Sequence, residues 1–287
     1  PIFHQGEEAQ ERCWRGTQEE REAYYAEQKA TLRPSTFDRL HLNLWASSES
    51  VFVPVEWWDR VALGFPVVSD PALPVVVAVD AGLKHDSSAI AVVAYQGGQA
   101  RLVGHKIFTP ARGETLDLEE TLEQAVREMA GRFAVKAVLY DPWQFQRSAQ
   151  TLRKVGINMV EFPQTTPNLT TMSVNLYELL KGENLLAYAD DDIRLALQRA
   201  VAVEGSRGLR IAKEKASHRI DIVVALAMAA LGAVQVLGKP AAELQESANP
   251  FYGPGPEPVR AGGRFDDNGW FLGPHRAGQT AATCPHR

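Results

Sequence analysis

Cysteine is nearly missing: Cys13 and Cys284 stand at opposite ends of the 287 residues. Two thiols so placed exclude a disulfide framework and a zinc-type spacing, and leave a reducing or unconstrained compartment, which favours a cytoplasm. A membrane span is missing too. The longest apolar run, Ile222 to Val234, is shorter than the roughly 20 residues a span needs, and its many alanines suit a buried helix. No secretory signal opens the chain, and a start at Pro1 predicts a fragment or a processed product. The formal charge is −5, so no overall basic field advertises a nucleic-acid partner, and any such surface must be local. There is no internal repeat and no Gly-x-x-x-x-Gly-Lys-Ser/Thr phosphate loop.

What the sequence does have is a chain of buried-looking elements. Val75 to Val79 is an unbroken apolar run rich in β-branched valine, read as a strand buried on both faces. It ends on Asp80, followed by Ala81-Gly82. A second strand is predicted over 89–94, and Gly97-Gly98 turns the chain into a third over 101–108. Helical spacing follows over 117–133, then a strand over 134–141 that again ends on an aspartate, Asp141. The pattern continues with a helix over 144–155 closed by Gly156, a strand over 157–162 and helices over 165–180 and 190–201. A hairpin over 203–211 turns at glycine. The last helix is expected from Ser217, as N-cap, to Leu237. Strands alternating with helices after a three-strand meander predict an α/β fold with a mixed central sheet flanked by helices.

The flanks differ in character. Residues 1–30 interleave glutamates with arginines, as on a solvated helix. Residues 35–58 carry many large apolar groups in an irregular stretch, expected to pack on another surface. The divisions predicted are a linker and helical segment over 1–70, a catalytic domain over 71–238, and a Pro/Gly-rich tail over 239–287, expected to be extended or disordered.

The chemistry lies in the carboxylates. Asp80 and Asp141 end strands, and Asp221 opens the last helix. Each alone is also read as a turn former or a cap. If the two strands are parallel neighbours, however, their acids share the edge where α/β sites form. Asp221 would complete an all-oxygen set suited to hard cations such as Mg²⁺ or Mn²⁺. Two such ions can hold both the attacking water and the leaving oxygen of a phosphodiester. Asp86 is a fourth acid within reach, although Asp86-Ser87-Ser88 equally reads as a turn. His218, three residues before Asp221, would lie on the same helical face and orient a carboxylate or contact substrate; a surface histidine is the alternative.

This order of elements resembles the ribonuclease H-like fold. The motifs Val79-Asp80-Ala81-Gly82 with Asp86, Leu139-Tyr140-Asp141-Pro142-Trp143, and His218-Arg219-Ile220-Asp221 followed by Ala225-Leu226-Ala227 resemble the nuclease domain of tailed-bacteriophage large terminases. Arg39-Leu40-His41-Leu42-Asn43-Leu44-Trp45 and Pro54-Val55-Glu56-Trp57-Trp58 are similar to the segment that links motor to nuclease in that family. The resemblance spans roughly 36–237. It implies an endonuclease that cuts concatemeric viral DNA when packaging starts and ends, with metal on Asp80, Asp141 and Asp221 and Asp86 accessory. It also implies a preceding ATPase motor, absent from this chain, with the portal and small terminase as partners in the cytoplasm of an infected bacterial host.

Double-stranded DNA needs local positive charge. Between Arg194 and Arg219 stand seven basic residues against two acids; of these Arg207, Arg210, Lys213, Lys215 and Arg219, with Lys84 from the first motif, are candidate DNA contacts. Ordinary solvated charge is the alternative. Nothing reads a base sequence, so little sequence preference is expected. The competing readings are an actin-like or sugar-kinase ATP-binding domain, a Holliday-junction resolvase, and a DNA- or portal-binding module without chemistry.

Overall fold

The computed structural model describes residues 6–32, 34–44, 49–82, 87–110, 117–205, 208–215 and 218–238. Asp86, Lys84, Arg207 and Ser217, and the tail from 239 onward, lie outside these residues. The described residues belong to one compact unit, Pro1–Phe251.

Three helices open it: α1 (Glu7–Cys13), α2 (Gln18–Thr31) and α3 (Pro34–His41). The expected single charged helix is thus two, broken at Trp14–Thr17, where Thr17 and Glu20 form a reciprocal capping box. No residue of α2 is buried, as its charged composition requires. A short strand, β1 (Glu49–Val51), and α4 (Val55–Val61) complete the entry segment.

The central sheet has six strands in the order β6-β5-β2-β3-β4-β7. They are β2 (Asp70–Asp80), β3 (Ser88–Gln96), β4 (Gln99–Phe108), β5 (Phe133–Tyr140), β6 (Met159–Glu161) and β7 (Leu185–Leu186). The meander β2-β3-β4 is antiparallel, whereas β5 runs parallel to β2, β6 to β5 and β7 to β4. Residues 75–79 are fully buried, so the apolar run does mark a strand covered on both faces. The parallel pairing of β2 and β5 is the arrangement on which the carboxylate argument depended.

Helices cover both faces. One carries α5 (Gln124–Arg132), entered through a π-helical turn over Glu119–Glu123, and α6 (Pro142–Lys154). The other carries α7 (Thr166–Lys181), α8 (Asp191–Arg199) and α9 (Asp221–Leu237). The last of these buries twelve of its residues, as a helix apolar almost all round must. A second sheet, β1-β8-β9, joins β8 (Ala200–Gly205) and β9 (Gly208–Lys213), the expected hairpin, to β1 from the entry segment. Ala200 and Val201, expected at the end of a helix, begin a strand instead.

The apolar entry segment finds its surface inside this chain. Phe52, Val53, Trp58, Val61 and Ala62 are buried in the same cluster as α7, α8 and α9. One further boundary differs from expectation. The last helix starts at Asp221, with Ile220 at the N-cap and no side-chain cap, so His218 precedes the helix and does not share a helical face with Asp221.

Candidate metal and nucleic-acid site

Val79 of β2 pairs with Tyr140 of β5, and Asp80 and Asp141 are the next residues of each chain. Parallel neighbours lie about 4.8 Å apart, so the two acids leave the sheet side by side. Val79 and Tyr140 point into the cluster beneath α5 and α6; alternation therefore directs Asp80 to the opposite face, which α9 covers. Asp221 is the first residue of α9 and is buried, 7 % exposed.

Each acid is held by a different partner. Asp141 is the N-cap of α6, where the Trp143 backbone N–H donates to its Oδ1 at 3.2 Å, and Pro142 fills the first helical position. Gln164 Nε2 donates to Asp80 Oδ1 at 3.2 Å. The Ser87 hydroxyl donates to Asp221 Oδ2, and Lys213 Nζ lies 4.0 Å from Asp221 Oδ1. Below Asp141, Tyr140 is anchored by Arg153, whose Nη2 donates to its hydroxyl at 2.8 Å, and burial pushes the phenol up to about 12.

The electrostatics show a shared field. Asp80 is raised from 3.8 to about 7, chiefly by burial, then by the charge of Asp221, with Asp141 adding to it and Gln164 and Lys213 opposing. Asp141 is raised by burial, against the Trp143 hydrogen bond. At Asp80 burial and the charges of Asp221 and Asp141 outweigh the local donors; at Asp141 burial alone outweighs the Trp143 hydrogen bond. An all-oxygen set in that condition fits a hard divalent cation, which would relieve the repulsion. In the conformation described, the side chains turn towards their separate partners. Among the described residues, no three His, Cys, Asp or Glu side chains close on a single point as a ready-made ion cage.

The remaining candidates fall as follows. Lys213 is at the site. Arg219 is exposed, and its Nη1 donates to Thr109 Oγ1 at 3.2 Å, beyond the end of β4. Arg210 and Lys215 are exposed, the former on the outward face of β9, whose Leu209 and Ile211 face the core. His218 Nδ1 lies 3.5 Å from Glu214 Oε2, in the loop before α9.

Gln164, Ser87 and Trp143 were not among the expected site residues. Asp141, Pro142, Trp143, Gln146, Pro163, Gln164 and Thr165 line an open cleft of about 540 Å³ beside the acids. The Asp-Pro-Trp sequence is the one local signal that pointed to this cleft.

Residues 112–236 match the family model described as terminase large subunit, endonuclease domain. The match contains Asp141 and Asp221 and begins after Asp80, so Asp80 rests on the geometry above. No curated protein sequence matches the chain. Among solved structures, the large terminase of bacteriophage HK97 is similar at 19 % identity and a TM-score of 0.56, over 75 % of this chain and 50 % of that one. The large terminase nuclease of thermophilic phage G20c is similar at 19 % identity and TM-score 0.51, over 63 % of this chain and 97 % of that one. A cobalt-bound form of the G20c nuclease aligns at 20 % identity and TM-score 0.50, over 64 % of this chain and 98 % of that one. These likenesses establish the fold, that of terminase nucleases. The chain spans about half the length of the HK97 protein.

Proposed function

Because residues 112–236 match the model of the terminase large-subunit endonuclease domain, we propose that the chain is a metal-dependent endodeoxyribonuclease. It would cut concatemeric double-stranded viral DNA at the start and end of packaging. The observation that carries the reading is the pair Asp80 and Asp141, one residue beyond the Val79–Tyr140 register, with the Asp221 charge acting on Asp80. The family match and the likeness to phage terminases favour this reading over a kinase, a resolvase or a module without chemistry.

In this reading Asp80, Asp141 and Asp221 hold two ions, Mg²⁺ or Mn²⁺, with Asp86 accessory. Bound divalent cations supply the activation of water and the neutralisation of charge developing on the phosphodiester. The chain's own groups prepare the edge for this. Gln164 orients Asp80, the Ser87 hydroxyl and Lys213 fix Asp221, and the α6 N-terminus fixes Asp141. Lys213 and Arg219, with Arg210, Lys215, Arg207 and Lys84, meet phosphates without reading bases, and His218 assists from the loop before α9. An ATPase motor, the portal and the small terminase are the partners, and the work belongs to the cytoplasm of an infected bacterial host. Among the described residues no helix is long and apolar enough to cross a membrane.

The test is supercoiled plasmid incubated with the purified chain and Mn²⁺ or Mg²⁺. Nicked and linear products are expected; EDTA abolishes them, and Asp80→Asn and Asp221→Asn each lower the rate by at least two orders of magnitude, as expected when an essential ion is displaced. Undiminished cutting by Asp80→Asn would remove the assignment.

A further inference from the structure

The cleft beside the acids has one wall that neither core packing nor metal binding explains. Trp143 is 84 % exposed, an unusual state for the largest apolar side chain. The fold does not need it there. Two residues on, Phe145 is 1 % exposed and packs edge-on against Tyr140, and it is this ring that seats α6 on the sheet. The backbone beneath Trp143 is nevertheless fixed at both ends: Pro142 sets the first helical position, and the Trp143 N–H is bonded to Asp141. The indole is therefore displayed at a set distance from the carboxylate edge, in water, on the first turn of a 13-residue helix.

Its surroundings specify the kind of group it would receive. Pro142 and Pro163 give the cleft apolar walls, Gln146, Gln164 and Thr165 give it amide and hydroxyl groups, and the cleft is open to solvent. A flat apolar face with hydrogen-bonding groups around it suits a heteroaromatic ring with a polar rim. Those properties together describe a nucleobase. An intact duplex hides the faces of its bases in the stack, so only a base already out of the stack can lie on the indole.

We propose that Trp143 stacks on an unpaired nucleobase next to the phosphate being cut, so that the preferred substrate is DNA locally opened at the cleavage site. The inference rests on reading the carboxylate edge as the nuclease centre. It adds a residue that grips the strand, and a substrate form, to that reading.

The experiment separates the two. In EDTA, where no cutting occurs, fluorescence anisotropy compares the chain's affinity for a fully paired oligonucleotide duplex with that for the same duplex carrying a short central bubble. The wild-type protein is expected to favour the bubble by about ten-fold, the scale of one base–aromatic stack, with quenching of its tryptophan emission. In Trp143→Ala the gap between the two duplexes closes, while Trp143→Phe keeps most of it. A thermal melt of Trp143→Ala matching the wild type guards against misfolding. The same duplexes with Mn²⁺ then report cutting, with products expected to map to the bubble in the wild type and to scatter in Trp143→Ala. No bubble preference in the wild type, or an undiminished one in Trp143→Ala, would overturn the stacking role. If that preference is lost in Trp143→Ala, as expected, but no divalent cation produces cutting by the wild type, base stacking is supported and the nuclease reading is what fails.

Discussion

At the scale of the residue, Asp80 sits in an environment that works against its charge. Unfolded, its carboxyl ionises near 3.8; folded, burial and the Asp221 charge hold it at about 7. The folded state therefore binds a proton that the unfolded chain has released. The stability this contributes is whole below about pH 4 and is lost as pH rises through about 7. Without metal, Asp80→Asn is expected to be more stable than the wild type at pH 8, by on the order of 4 kcal/mol. The gap should open from about pH 4 upward and level off above about 7, as read by urea melts in EDTA. Added Mn²⁺ reverses the order, raising the midpoint of the wild type and leaving that of the variant nearly still. An equal response of both proteins would count against Asp80 as a ligand.

At the scale of the element, the site depends on how closely α9 lies on the sheet, because that helix carries Asp221. Gly232 is a point of close approach. A Cβ there would meet Val76 Cγ1 at 2.9 Å and the Leu139 methyls at 3.0 Å, and these two residues belong to the paired strands β2 and β5. Gly232→Val is expected to destabilise the fold by about 1–3 kcal/mol through overpacking. Since Asp221 lies on the same rigid helix, metal-dependent cutting should weaken as well. Melts and cutting rates measured on one preparation check both. The Gly232 contact was not legible in advance, since an isolated glycine in an alanine-rich helix carries no sign of what it faces. The helix itself was legible, and so were β2, β3, β4 and β5, whose apolar runs and bounding glycines or acids state their type locally. The two-residue β7 and the edge strand β1 were not, because such short segments are strands only through their neighbours.

At the scale of the whole molecule, the stretch before the first central strand is part of the core rather than a tether. Trp58 is 1 % exposed and buried with residues of α7, α8 and α9, and β1 is hydrogen-bonded to β8. Trp58→Ala is expected to cost about 3–5 kcal/mol, and a chain beginning at residue 71 should lose more. Chemical denaturation of the variant beside the wild type tests this. The segment resembling a motor-to-nuclease link is thus packed into the same core as α9.

The amino-acid sequence by itself determined which acids end buried elements, because an apolar run that stops on an aspartate must be a strand or helix meeting solvent or a partner charge. Those same runs determined the mixed α/β class. Only the tertiary structure decided who meets those acids. Gln164 reaches Asp80 across 84 positions and Ser87 reaches Asp221 across 134; such contacts are consequences of strand order and helix docking, to which residue type and local spacing are blind. The exposure of Trp143 was likewise decided in three dimensions: one turn of α6 had to choose which aromatic to bury, and Phe145 took the place under the helix.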